Sequence, residues 1–373
     1  MFFKNKKIVF LTKTNWDYYL HPYRTLYARE LSKYADKVYW INEPTRNPFK
    51  FFKKFFKNKS ISKSIKVFTP LLPTCTNENL SKTNALLLRM QIYFLAGKLD
   101  RSTVIWSVYC SHLNVVLHYP VAFKIYWLGD LFDPIKEFSS LVVYNMVMPL
   151  TEDIFEHINK DFPNKAYLST TGCDEDLFSI CRVKKRDFIP KELQFENDLK
   201  TLGYVGNISS FRLDFKLIEN LVKEFQNIRF VLVGISDQKH ETKKFLSTLK
   251  QYNNFHLIEN IEYSQIPFYI YQFHAGFIPY KLNKFNLGTN PNKFYEYCSM
   301  GKVTFSSRIP SLIKYQPSII LSQTTEEWVE NIYKYIDNIA DSENLISISI
   351  EASPQKSINR ISDYLLKNNY SQK

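Results

Sequence analysis

The chain has 373 residues, 45% of them hydrophobic and 23% charged. That balance excludes large-scale disorder, and the length suits two domains. Lys plus Arg number 49 against 36 for Asp plus Glu, a net charge of +13, which favours an anionic partner: a phosphorylated small molecule, a membrane surface or a nucleic acid.

The N-terminus carries Lys4, Lys6 and Lys7, but the apolar run that follows, Ile8 to Leu11, is far shorter than the ~7–15 residues of a signal-peptide core. KKIVFLT (Lys6–Thr12) predicts a first buried strand, and the polar, aromatic stretch Asn15 to Arg24 predicts a loop. Helical spacing at Leu26, Leu31 and Tyr34 precedes a strand at Lys37–Ile41. Further strands are expected at Ile65–Phe68, Val104–Val108, Phe123–Trp127 and Leu141–Met148, closing a first domain at residue 180. Residues 181–198, charged and interrupted by Pro190, read as a linker. A second unit over 199–350 is expected to hold strands at Leu202–Val205, Ile228–Val233, Phe255–Ile258, Ala275–Ile278, Val303–Ser306 and Ile319–Leu321. The tail, 351–373, has helical spacing at Ile358, Ile361, Leu365 and Leu366. Short apolar runs alternating with amphipathic stretches predict an α/β protein. No apolar run reaches the ~18 residues of a spanning helix. The five cysteines form no CxxC, so neither a disulfide framework nor a zinc site is indicated. A reducing, cytoplasmic location is expected.

Residues 46–66 carry eight basic side chains and no acidic one. With Asn47 as cap and Pro48 in the first turn, the core FKFFKKFFK is expected to place Phe49, Phe51, Phe52, Phe55 and Phe56 on one half of a helix. Lys50, Lys53, Lys54 and Lys57 then fall on the other half. That is the pattern of an interfacial helix on an anionic membrane; the alternative is a solvated helix whose rings pack on the protein.

Glycine is scarce, at nine residues, and neither GxGxxG nor GxxxxGK[ST] occurs, which weakens a dinucleotide-dependent dehydrogenase and a P-loop ATPase. The stretch LGTNPNKFYEYCSMGKVTFSS (Leu287–Ser307) predicts a helix over Pro291–Met300, capped by Asn290 and closed by Gly301. A glycine-containing loop (Gly288) leading into a helix N-terminus is a ready anion site, and Lys281, Lys284 and Lys293 add positive charge. Lys293 and Glu296 share one face; Phe294, Tyr297 and Cys298 share a buried one. In LGYVGNISSFRLDFKLIENL (Leu202–Leu221) a strand ends near Gly206. Arg212 and Lys216, four apart, are expected on one face of the following helix, where cations oppose the dipole and call for an anion. The bland readings are a capped helix with a surface Lys–Glu pair, and Asp214 serving as that anion.

YVGNISSFRLD, FVLVG (Phe230–Gly234), HAGFIPY (His274–Tyr280) and NPNKFYEYCSMGKVTFSS, in that order, resemble the C-terminal half of GT-B glycosyltransferases, most of all the family-4-like bacterial enzymes that build surface polysaccharides. The N-terminal half resembles them loosely, through WDYYLHPYR, IYWLGDLF and TTGCDEDLF. The resemblance implies two Rossmann-like domains facing across a cleft, donor in the second and acceptor in the first, with a C-terminal helix crossing back. It implies that Arg212 and Lys216 bind the diphosphate of a nucleotide-sugar, that Lys293 supports the phosphates and that Glu296 accepts from ribose hydroxyls. The loop Glu259–Gln265, with Tyr263, would meet the base, the Gly288–Pro291 turn, with Asn290, would approach the diphosphate and donor sugar, and Gly206 would belong to the same donor site. Gly288 stands where the family often has a second Glu, so a retaining outcome is implied only in part.

In the first domain the loops after the strands are expected to line the site, with Asp17, His21 and Asp130 as candidates for acceptor binding or base catalysis, and Arg24 and Gly129 beside them. The function expected is therefore transfer of a sugar from a nucleotide-sugar to a lipid-linked or polysaccharide acceptor, without metal or cofactor, at the inner face of the cytoplasmic membrane. A nucleotide-sugar 2-epimerase of the same fold is the alternative. A nucleic-acid-binding protein is disfavoured, since the charge is concentrated in one segment and no nucleic-acid motif occurs.

Overall fold

The computed structural model describes residues 1–17, 22–49, 61–73, 80–129, 138–186, 188–337 and 342–368. The chain divides into two compact units: Met1–Ser169 joined by the C-terminal segment from Pro354, and Thr170–Ser353.

The first unit is built on strands β1 (Lys7–Leu11), β2 (Lys37–Ile41), β3 (Ile65–Phe68), β4 (Thr103–Ser107), β5 (Phe123–Leu128) and β6 (Met146–Pro149). They form one parallel sheet in the order β3-β2-β1-β4-β5-β6. The strands are continuous apolar runs because the sheet is buried on both faces. Val9, Leu11, Tyr39, Ile41 and Ile105 pack with Leu88 and Ile92 on one side. Ile8, Phe10, Trp40, Trp106 and Trp127 pack with Tyr27, Ile358, Ile361 and Leu365 on the other. This second face explains why the C-terminal helix Pro354–Lys367 belongs to the first unit. Its stripe at i, i+3 and i+7 is buried there, and Phe2 N–H donates to Ser362 Oγ at 2.6 Å.

The second unit repeats the plan. Strands β7 (Lys200–Ile208), β8 (Ile228–Ser236), β9 (Phe255–Glu259), β10 (Ala275–Ile278), β11 (Thr304–Ser307) and β12 (Ile319–Ser322) run parallel in the order β12-β11-β10-β7-β8-β9. In each unit the first strand lies between the second and the fourth, the doubly wound order whose switch point takes ligands at the strands' carboxyl ends.

Some local expectations differ. The helix Pro22–Leu31 begins inside the stretch read as a loop. Leu141–Val143 is a 3₁₀ turn and β6 starts only at Met146, because Asn145 pairs with Lys124 through both side chain and backbone, at 2.8 and 2.9 Å, and so sets the register. Within 181–198, read as a linker, lie most of the helix Ile180–Arg186 and the turn Lys191–Leu193, with Val183 and Leu193 buried in the second core. Among the described residues no helix is long and apolar enough to cross a membrane. Of the Phe/Lys segment, Phe49 is described and exposed; Lys50, Phe51, Phe52, Lys53, Lys54, Phe55, Phe56 and Lys57 lie outside the described residues.

Candidate functional site

The switch point of the second unit lies between β7 and β10. Here the loop after β7 is stitched to the loop after β10: Leu213 bridges Tyr280, Asp214 N–H donates to Pro279 O at 2.9 Å and Lys281 N–H to Arg212 O at 3.0 Å. The buried Asn286 side chain donates to the carbonyls of Lys281 and Arg212, at 2.8 and 3.0 Å. This stitching carries the Arg212 guanidinium over the rings of Tyr280 and Phe285, 5.2 and 4.9 Å from their centroids. Arg212 is thus in the loop and not on the helix with Lys216. The helix starts only at Phe215, because Asp214 caps it by accepting from Leu217 N–H at 3.0 Å. Lys216 is exposed on its first turn.

Lys293 meets the same tyrosine. Its Nζ donates to the Tyr280 hydroxyl at 3.0 Å and lies 5.2 Å from the Tyr204 ring. Among the described residues no carboxylate comes within ion-pairing distance of Lys293. Gly206 makes this position possible: a β-carbon there would sit 2.7 Å from Lys293 Nζ, and its φ of 141° is one that only glycine adopts easily. Two cations therefore share one tyrosine at the end of the sheet, an arrangement that like-charge repulsion disfavours and a bound anion relieves.

One turn along from Lys293, Glu296 is buried on helix Asn292–Ser299. Burial raises its carboxyl above the ordinary value, while the Lys293 charge and a hydrogen bond from Tyr263 oppose the rise. Tyr263 donates from its hydroxyl to Glu296 Oε1 at 3.1 Å, and its ring packs on Phe178 at 5.6 Å. Burial and the nearby Glu296 charge keep that phenol protonated well above its ordinary range. The helix itself begins one residue later than expected. Pro291 takes the cap position with no side-chain bond, and Asn290 is buried with its carbonyl accepting from Thr171 Oγ1 at 3.3 Å, so Asn290 is not the cap. Gly288 ends the short helix Lys284–Leu287, and a β-carbon there would make ordinary contacts only, 3.6 Å from Phe285 O and 3.8 Å from Lys284 O.

In the first unit, Asp17 is exposed after β1, and His21 and Asp130 lie outside the described residues. The switch point there holds Arg24, buried, donating to Thr14 Oγ1 at 3.1 Å, to the Tyr109 hydroxyl at 2.9 Å and to the Tyr23 hydroxyl at 3.2 Å. Gly129, after β5, lies against its guanidinium. His112 is driven down to about 3 by burial and stays neutral. Sequence reasoning named the cations of the second unit but missed Tyr204, Tyr280, Phe285 and Asn286, which place them. Only the position of Tyr280, just past a strand, signalled a role.

Two doubly wound parallel sheets of this order, with the last helix returned to the first unit, define the GT-B fold. No family model matches the chain. A protein of Bacillus subtilis (strain 168) named as a teichuronic acid biosynthesis glycosyltransferase, TuaH, is 28% identical over 151 residues, 39% of this chain and 34% of that protein. The match thus spans about a third of the relative's length. Solved structures align over nearly the whole chain. Anabaena Alr3699/HepE, in complex with UDP and glucose, has a TM-score of 0.68 at 15% identity, over 98% of this chain and 100% of its own. The trehalose-6-phosphate protein of E. coli, bound with UDP-2-fluoro glucose, has 0.70 at 10%, over 96% and 98%. The α,α-trehalose 6-phosphate synthase of Burkholderia multivorans has 0.71 at 10%, over 99% and 100%. At these identities the likeness is one of fold.

Proposed function

We propose that this chain is a glycosyltransferase that takes a sugar from a uridine diphosphate-sugar and delivers it to a glycan or lipid-linked acceptor in bacterial surface-polysaccharide synthesis. The observation that carries the reading is the pair Arg212 and Lys293, both gathered at Tyr280 at the switch point of the second unit. Such a pair is suited to a diphosphate. Breaking the glycosidic bond of a nucleotide-sugar leaves a nucleoside diphosphate, and preorganised cations stabilise the charge that develops on it. The same cations are proposed to make a metal unnecessary. Glu296, held by Tyr263, is proposed to accept hydrogen bonds from the ribose. UDP as the nucleotude is favoured by the complexes of HepE and the E. coli protein, and a surface glycan by the name of the Bacillus relative. The transfer is proposed to retain the anomeric configuration, and the Phe/Lys segment to hold the enzyme at the inner face of the cytoplasmic membrane.

The test is thermal unfolding with UDP-, GDP-, dTDP- and CMP-sugars, in buffer with a divalent cation and in buffer containing EDTA. A ligand at 100 times its Kd adds about 2.7 kcal/mol of stability, so UDP-sugars are expected to raise the melting temperature and the others not. No shift with any of the four overturns the donor assignment. Loss of the shift in EDTA overturns the metal-free reading. Conversion of the donor to its 2-epimer without an acceptor points to the epimerase instead. Proton NMR of the first-formed product reads the anomeric outcome.

A further inference from the structure

The crossover from β3 to β4 is made by helix Lys82–Ala96, KTNALLLRMQIYFLA. One face is buried in the first core through Ala85, Leu88, Ile92 and Ala96. The opposite face is apolar too. Leu86 is 48% exposed, Met90 50%, Tyr93 60% and Phe94 80%. At 100° per residue these four fall within an arc of about 100°, a stripe of large apolar side chains that a soluble surface rarely presents. The helix carries no carboxylate. Lys82 and Arg89 border the stripe on one side and Lys98 follows the helix end. Arg89 Nε is buried and without a hydrogen-bond partner among the described residues. Asp100, the next acidic residue, is engaged by the Ser102 hydroxyl and N–H at 2.6 and 2.8 Å.

We propose that this outer face is a membrane-docking surface, whose Leu86, Met90, Tyr93 and Phe94 enter the headgroup region of an anionic bilayer while Lys82, Arg89 and Lys98 meet its phosphates. Fifteen residues are too few to span the ~30 Å hydrocarbon core, so the helix lies in the plane of the interface. The charge selects the occupant: a helix that carries Lys82 and Arg89 and no carboxylate, with Lys98 just beyond its end, matches an anionic surface and disfavours a second copy of itself. This helix is a different segment of the chain from residues 46–66, and the proposal does not depend on the donor assignment.

The test uses the full chain with vesicles of phosphatidylcholine, plain or containing about a quarter phosphatidylglycerol. Phe94→Trp places a reporter in the stripe. Its emission is expected to move to the blue only with the anionic vesicles, and to do so also when Lys50, Lys53, Lys54 and Lys57 are all changed to Glu. Met90→Ser with Phe94→Ser, both at exposed positions, is expected to weaken vesicle binding about tenfold or more at unchanged melting temperature and unchanged response to UDP-sugars. Binding equal to wild type in that double variant overturns the proposal. So does equal binding to neutral vesicles, and so does a blue shift that follows protein concentration without lipid, which marks self-association.

Discussion

Tyr263 donates a hydrogen bond from its hydroxyl to the buried carboxyl of Glu296, at 3.1 Å. This bond is one of two influences, with the Lys293 charge, that oppose the burial raising the Glu296 pKa. Tyr263→Phe removes it and moves that pKa further up. A carboxyl whose folded pKa lies above its unfolded one costs stability as pH rises from the unfolded value through the folded one. The variant is therefore expected to lose most stability above that range, by about 1.5–3 kcal/mol for a hydrogen bond to a buried charge, and to approach wild type in acid. If the carboxylate form binds donor, the acid limb of UDP-sugar affinity moves to higher pH. Urea unfolding and binding titrations across pH check both; an unmoved limb separates Tyr263 from the site.

Lys293 and Arg212 both meet Tyr280, and a bound anion relieves the repulsion between these like charges. Lys293→Met removes that repulsion but also the charge that holds the Glu296 carboxyl down, so it is expected to lose stability at pH above the Glu296 titration, as Tyr263→Phe does, and to abolish the UDP-sugar shift. Turnover is expected to fall about 10²–10³-fold, as for loss of one preorganised donor. Calorimetry with and without UDP reads it; a wild-type UDP shift in the variant removes Lys293 from the diphosphate.

Two glycines of the site carry opposite expectations. Gly206→Ala forces a β-carbon against Lys293 Nζ and strains a φ of 141°, costing about 1–3 kcal/mol and displacing the ammonium. Gly288→Ala meets no atom nearer than 3.6 Å, so its melting temperature is expected within a degree or two of wild type, about ±0.5 kcal/mol. Thermal melts and UDP titrations of both variants test the contrast.

Gly276 on β10 holds the ring of Tyr297, whose atoms would lie 2.2 Å from a β-carbon. The Tyr297 hydroxyl accepts from Val205 N–H on β7 at 3.0 Å. Gly276→Ala is expected to push this ring out, at about 1–3 kcal/mol for overpacking, and to weaken donor binding through the neighbouring Glu296. Denaturant midpoints and UDP affinity measure the two effects; a stability equal to wild type contradicts the packing.

Where residues speak locally, the sequence by itself determined a great deal. Buried parallel strands need apolar runs of four to nine residues, so β2, β3 and β10 could be placed to the residue, and the Ile358, Ile361 and Leu365 stripe announced the last helix. The ordered series of motifs carried the class of fold. Tertiary structure alone decided the rest. Arg212 leaves the helix because Asp214 caps it and because Leu213 pairs with Tyr280, nearly seventy residues away, a contact that local spacing cannot encode. That Tyr263, expected to meet the base, also holds Glu296 was not legible, since only folding sets those two side chains together. Helix Lys82–Ala96 is apolar on nearly every side, so its composition does not say which half is buried; the position of the sheet beneath it makes that choice and leaves Phe94 outside.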